Sequence, residues 1–186
     1  AGLSSQLVGR TDELAEVQTA VSDLHKDKGK IVSIIGEAGM GKSRFLDELN
    51  PENATLLHAR CFSYTESVSY RPMQLMLRQL LGLNGTDEED DAASLSQLQT
   101  SLSILFSAEE VEENMPYVAN FLNISLTAVY TARIQYLDGE ALQRRTFIAI
   151  RDCIAAQAEQ TPLIIALDNI HWLDNASFNL LHYLLP

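Results

Sequence analysis

The residues best suited to chemistry are consecutive. Gly36-Glu37-Ala38-Gly39-Met40-Gly41-Lys42-Ser43 is a glycine, four free positions, then glycine, lysine and a hydroxyl residue, the full pattern of a phosphate-gripping loop. Such a turn points successive backbone N–H groups inward around phosphate oxygens, and side chains larger than hydrogen would block that approach, so Gly36, Gly39 and Gly41 supply the room. Lys42 would set its ammonium against the β and γ phosphates of a nucleoside triphosphate, and the Ser43 hydroxyl would ligate Mg²⁺. The second constellation is Leu163-Ile164-Ile165-Ala166-Leu167-Asp168, an apolar run ending in a carboxylate, as when a buried parallel strand delivers an acid to the C-terminal edge of its sheet. Alone, such a run is common; beside an intact phosphate loop, it makes Asp168 the best candidate for the outer-sphere partner of that Mg²⁺.

Elements must position these groups. Ile31-Val32-Ser33-Ile34-Ile35 reads as a buried β-branched strand feeding the loop, and Phe45, Leu46 and Leu49 share a helical face behind it, with Pro51 as a stop. Upstream, Leu14, Val17, Val21 and Leu24 predict a helix opened by Thr11, with a basic link over 26–30. A second strand is expected over 55–59, followed by a helix that Pro72 leads and Gly82 closes, its Met73, Met76, Leu77 and Leu80 forming a core stripe. Over 83–160 the apolar period is helical, with one stripe of Leu95, Leu98, Leu102 and Leu105 and another of Phe147, Ile150, Ile154 and Ala158. Ser107 and Glu110 have capping-box spacing, and a further apolar segment surrounds Pro116. We read 83–160 as a helical insertion within one domain spanning 1–186.

Composition sets the class. The chain has 186 residues, 46% hydrophobic and 20% charged, enough for one domain with a sizeable core. No stretch approaches the ~18 apolar residues a membrane span needs, and the first residues lack a signal core, so a cytoplasmic module is expected. A net charge of −12 opposes unspecific affinity for nucleic acid or anionic membrane. The acids concentrate at 87–91 and in Glu109, Glu110, Glu112 and Glu113, read as a solvated loop and a helix start. Cys61 and Cys153 lack ligand spacing and read as ordinary thiols, and His25, His58 and His182 as surface or core filler.

Four stretches together resemble the signal-transduction ATPases with numerous domains, close to the AAA+ ATPases. They are Leu7-Val8-Gly9-Arg10-Thr11-Asp12-Glu13-Leu14 (the family's opening motif), Gly36 to Arg44 (its phosphate loop), Gln143-Arg144-Arg145-Thr146-Phe147, and Leu163 to Leu185 (its Walker B region). The likeness is nearest to the ATPase module that follows cyclase domains or occurs in large ATP-binding transcription regulators. It implies a three-layer α/β phosphate-loop domain with a parallel AAA-like sheet, cut before a sensor strand and helical lid that would follow Pro186. By the same resemblance Val8 and Gly9 lie along the adenine, with Arg10 near the nucleotide; a simple helix-opening turn is the alternative for all three. The cradle residues would be Gly36, Glu37, Ala38, Gly39, Met40, Gly41, Lys42, Ser43 and Arg44.

The implied activity is Mg·ATP binding with slow hydrolysis, Lys42 and Asp168 serving the reaction, as a switch biasing an output domain in the same longer polypeptide. A homo-oligomer is left open. Asn169 departs from the pattern, which has a second acid there to activate water; losing a general base costs about 10²–10⁴ in rate. Glu37 or Asp174 could substitute. His171 could contact phosphate, though packing of the His171–Trp172 pair on the sheet is the better reading. Arg60, Arg71, Arg144 and Arg145 are available as fingers, but sequence assigns none. The alternatives are a scaffold that binds ATP without turnover and a phosphate-loop kinase, for which no acceptor site is recognisable.

Overall fold

The computed structural model describes residues 11–185 apart from 27, 38, 48, 50, 52, 64–67 and 84–90. In chain order the elements are α1 (Thr11–Leu24), α2 (Lys42–Asp47), β1 (Thr55–Arg60), α3 (Arg71–Leu80), α4 (Asp91–Leu105), α5 (Ala108–Phe121), α6 (Ala128–Ile134), α7 (Gly139–Gln160), β2 (Leu163–Asp168) and α8 (Asn175–Leu184). One 3₁₀ turn, Ile170–Trp172, precedes α8.

β1 and β2 pair in parallel, from Thr55 opposite Leu163 to Arg60 opposite Asp168. Parallel strands need a crossover, here supplied by helices, which makes the architecture α/β. The Cys61 N–H donates to the Asp168 carbonyl and extends the ladder beyond the last pair. Along the other edge of β1 the Gln79 side chain acts as a third strand would: its carbonyl accepts from the His58 N–H at 3.1 Å and its amide donates to the His58 carbonyl at 2.8 Å.

The run Ile31–Ile35 departs from expectation. It forms no strand, and Ile31 is 74% and Ile35 93% exposed. A strand exists only through its neighbour's hydrogen bonds, and among the described residues β2 pairs with β1 alone, leaving this segment without a ladder.

The core forms where β1 meets the helices. Leu57 and Ala59 of β1 join Met73, Met76 and Leu77 of α3, Leu98 and Leu102 of α4, Met115 and Val118 of α5, Phe147 and Ile150 of α7, and Leu180 of α8. The predicted methionine stripe on α3 is therefore core, led by Pro72 in the first turn. Beyond α3, Gly82 at φ +64° makes the left-handed turn that ends it. Of the α7 stripe, Phe147 and Ile150 are buried while Ala158 is exposed.

Helix α5 holds an expected feature and an unexpected one. Ser107 and Glu110 make the capping box reciprocally, side chain to backbone in both directions. Pro116 lies inside the helix rather than at its edge. Proline has no N–H for the carbonyl four residues back, which is that of Glu112; Arg133 of α6 donates to that carbonyl at 2.7 Å and so satisfies it from outside. Glu109, Glu110, Glu112 and Glu113 are exposed, as expected of a solvated acidic face, whereas 87–90 lie outside the described residues. Among the described residues no helix is long and apolar enough to cross a membrane.

Candidate functional site

The phosphate loop connects the exposed run 31–35 to α2, and two of its three glycines are where backbone geometry demands them. Gly39 and Gly41 have φ of +82° and +81°, the left-handed region costly for any residue with a Cβ. At Gly36 an added Cβ would make only ordinary contacts, the nearest 3.8 Å to the Lys42 side chain. Lys42 folds back across the loop, its ammonium donating to the Gly36 carbonyl at 2.7 Å and the Glu37 carbonyl at 2.8 Å. Behind it the Phe45 N–H donates to the Gly41 carbonyl, and buried Phe45 anchors α2. Met40 is exposed and Arg44 half-buried. A cleft of about 200 Å³ opens between α1 and the loop, lined by Glu13, Glu16, Val17, Ile34, Lys42 and Phe45 among others. Val8, Gly9, Arg10 and Ala38 lie outside the described residues.

Helix α2 packs against β2, and this brings the two chemical constellations together. Asp168, 3% exposed at the end of β2, is hydrogen-bonded to the Ser43 side chain. Burial alone would raise its pKa. The hydrogen bonds from Ser43 and Arg60, the positive charge of Arg60 and the Asn169 backbone N–H outweigh that and hold the carboxyl below its ordinary range. Asp168 is therefore an anion at neutral pH. A hydroxyl and an ionised carboxylate are hard oxygen donors that suit Mg²⁺, and among the described residues no cluster of three His, Cys, Asp or Glu could hold a metal unaided.

Arg60 is the residue that sequence reasoning left unassigned. Its Nε lies 2.9 Å from Asp168 Oδ2. The expected strand stopped one residue short of it, at Ala59, whereas β1 includes Arg60. The available signal was the equal length of the two strands, one ending in Arg and the other in Asp, which parallel pairing sets side by side.

Beyond β2, Asn169 is left-handed at φ 56°, and its side-chain amide reaches the Cys61 carbonyl at 3.5 Å. Asp174 has a different task. It is 6% exposed and caps α8, one carboxylate oxygen accepting the Ser177 N–H at 2.9 Å and the Tyr70 N–H at 3.3 Å, the other accepting the Ser177 hydroxyl at 2.6 Å. With both oxygens engaged, it is a structural cap that ties the segment before α3 to α8. His171 and Trp172 lie in the 3₁₀ turn with ring centroids 5.1 Å apart; they lie against each other and both remain exposed, Trp172 at 38%. Cys61 is fully buried, and burial, then the charges of Asp174 and Asp168, push its thiol up, against any nucleophilic role.

Comparison with known proteins follows the same lines. An uncharacterised protein of Rhizobium meliloti (strain 1021) is 23% identical over 185 residues, covering 96% of this chain but 17% of that protein. The chain thus spans about a sixth of the length of the curated relative it matches. No solved structure matches the chain significantly. The profile of the AAA ATPase domain matches residues 6–186, nearly the whole sequence. The chain belongs to the AAA ATPase domain family.

Proposed function

We propose that the chain binds Mg·ATP across the phosphate loop and the end of β2, and that it hydrolyses ATP slowly as a nucleotide-dependent switch within a longer signalling protein of the multidomain signal-transduction type. One observation carries the site: the Ser43 hydroxyl and the buried Asp168 carboxylate, from opposite ends of the sequence, share a hydrogen bond beside the loop whose lysine is Lys42. In this reading the Gly39 and Gly41 amides and Lys42 take the β and γ phosphates, and Ser43 with Asp168 holds the metal. The metal supplies charge neutralisation at the phosphoryl oxygens. Lys42 would exchange its two carbonyl partners for phosphate oxygens. Residues 83–160 are a helical insertion in this core, and in the three-layer arrangement one more strand fits between 31–35 and β2. The regulatory setting draws support from the relative, of which the chain spans 17%; its cyclase or transcription-regulator partner domain and its cytoplasmic location are part of the same proposal.

The test is calorimetric. Wild-type chain should bind Mg·ATP, and Lys42→Ala should weaken it at least about 30-fold, the loss of a charge-assisted contact worth about 2 kcal/mol. No heat with ATP or GTP, or an unaffected Lys42→Ala, sinks the proposal.

A second reading, a scaffold that binds ATP without turnover, is favoured by Asn169. An amide cannot accept a proton from water, and this one turns toward the Cys61 carbonyl. Tight binding with no phosphate release would select it.

A further inference from the structure

We propose that Arg60 is the resident counter-cation of Asp168, and that it and the water shell of a nucleotide-bound Mg²⁺ are alternative partners of that one carboxylate. The inference rests on the nucleotide-site reading above and adds a residue that sets how strongly the site depends on metal.

The geometry is built in at the level of strand register. Arg60 lies directly opposite Asp168 in the parallel ladder, so no side-chain search is needed to bring them together. The Asp168 side chain is 4% exposed, and a buried carboxylate needs a compensating charge. Lys42 does not supply it, since its ammonium is held by the Gly36 and Glu37 carbonyls. Arg60 does, through Nε at 2.9 Å. Asp168 also accepts from Ser43 and from the Asn169 N–H, so three of the roughly four lone-pair positions of a carboxylate are in use. A metal's water shell would find one position open and, to engage more of the carboxylate than that, would have to share or displace Arg60. The Arg60 side chain is 37% exposed and has solvent into which to withdraw.

Arg60 thus acts as a positioning residue with an electrostatic consequence. Without Mg²⁺ it screens the Asp168 charge from an incoming triphosphate; with Mg²⁺ the metal does so and the arginine becomes redundant. Removing the arginine should weaken metal-free ATP binding about tenfold while leaving Mg·ATP affinity within about threefold.

The experiment is isothermal titration of ATP into the full chain, once in excess EDTA and once in saturating MgCl₂, for wild type, Arg60→Met, Arg60→Gln, Arg60→Lys and Asp168→Asn. The readout is the ratio of the two dissociation constants, which a merely structural role for Arg60 would not move because both would change together. The ratio should rise about tenfold in Arg60→Met and in the near-isosteric Arg60→Gln, which guards against a misfolded Met variant, and stay near wild type in Arg60→Lys. In the double variant Asp168→Asn/Arg60→Gln, measured beside them, the ratio should differ from that of Asp168→Asn by clearly less than Arg60→Gln differs from wild type. An unchanged ratio in Arg60→Gln while Mg·ATP still binds overturns the inference alone, as does an Arg60 effect that persists undiminished without the Asp168 charge. Wild-type chain that binds no ATP in either buffer overturns the nucleotide-site reading together with it.

Discussion

Replacing Asp174 with alanine separates two roles for this carboxylate, and its cost can be worked from the contacts. Three donors lose their acceptor: the Ser177 N–H at 2.9 Å, the Ser177 hydroxyl at 2.6 Å and the Tyr70 N–H at 3.3 Å. Loss of a helix cap costs about 1 kcal/mol. The hydroxyl belongs to a fully buried serine, so its desolvation has no return and adds about 1–2 kcal/mol. The long Tyr70 bond adds less, although Tyr70 is held at φ 65° immediately before α3, a backbone state that needs its surroundings to maintain it. The sum is about 3 kcal/mol. With a urea m-value of about 2 kcal/mol/M, that lowers the midpoint by about 1.5 M at unchanged m. Asp174→Asn keeps one acceptor oxygen and should cost about 1 kcal/mol, because the Ser177 hydroxyl can rotate to accept from the new amide. Urea denaturation followed by circular dichroism measures both. A midpoint shift under about 0.5 M for Asp174→Ala would refute the reasoning. So would Asp174→Asn at near-native stability with phosphate release abolished, the signature of a general base rather than a cap.

Three further predictions concern a helix-to-helix contact and the buried thiols. Arg133→Ala should destabilise by about 0.5–1 kcal/mol by exchanging its bond to the exposed Glu112 carbonyl for one to water, and the loss should shrink in a Pro116→Ala background, where an N–H returns to that carbonyl; a double-mutant cycle with no coupling would contradict the pairing. Burial pushes the Cys153 thiol up to about 12, with the Asp152 charge a smaller cause. An unfolded thiol ionises near 8.5, so this contribution to stability is intact below that pH and is lost, at about 1.4 kcal/mol per pH unit, as pH rises toward the folded value. Urea midpoints at about pH 8 and about pH 11 should diverge more for wild type than for Cys153→Ala; equal divergence would show that Cys153 does not titrate in the unfolded state alone. Native protein should also resist thiol-specific reagents at both cysteines, each fully buried, until denaturant is added.

What could be read in advance follows the range of the interactions. Helix α1 over Thr11–Leu24, the α3 stripe of Met73, Met76 and Leu77, and the Ser107–Glu110 box are encoded within a few residues, by 3.6-residue periodicity or a four-residue cap, and they stand where expected. The need for glycine in the loop was legible for the same reason, since the motif is local; the left-handed φ of Gly39 and Gly41 is what the structure adds to it. Pro116 was legible as a residue but not as an interior helical one, because the donor that replaces its missing bond comes from Arg133 on another helix.

The strand run 31–35 and the Arg60–Asp168 pair are two faces of one limit. A β-branched apolar run says that a segment would gain from burial; it does not say which neighbour will provide the ladder, and Ile31–Ile35 has the composition of a strand without, among the described residues, the partner that makes one. Conversely, nothing local marks Arg60: it follows an ordinary strand and resembles any arginine until β1 is set against β2 in register. Once that register is fixed, the ion pair follows from geometry, because parallel strands of equal length that end in opposite charges must present those charges to each other at the sheet edge where the phosphate loop also arrives. The site's electrostatics is thus a property of pairing: a one-residue slip of β1 would replace Arg60 by Ala59 or Cys61 opposite Asp168 and leave a buried carboxylate beside the phosphate loop with no cation of its own.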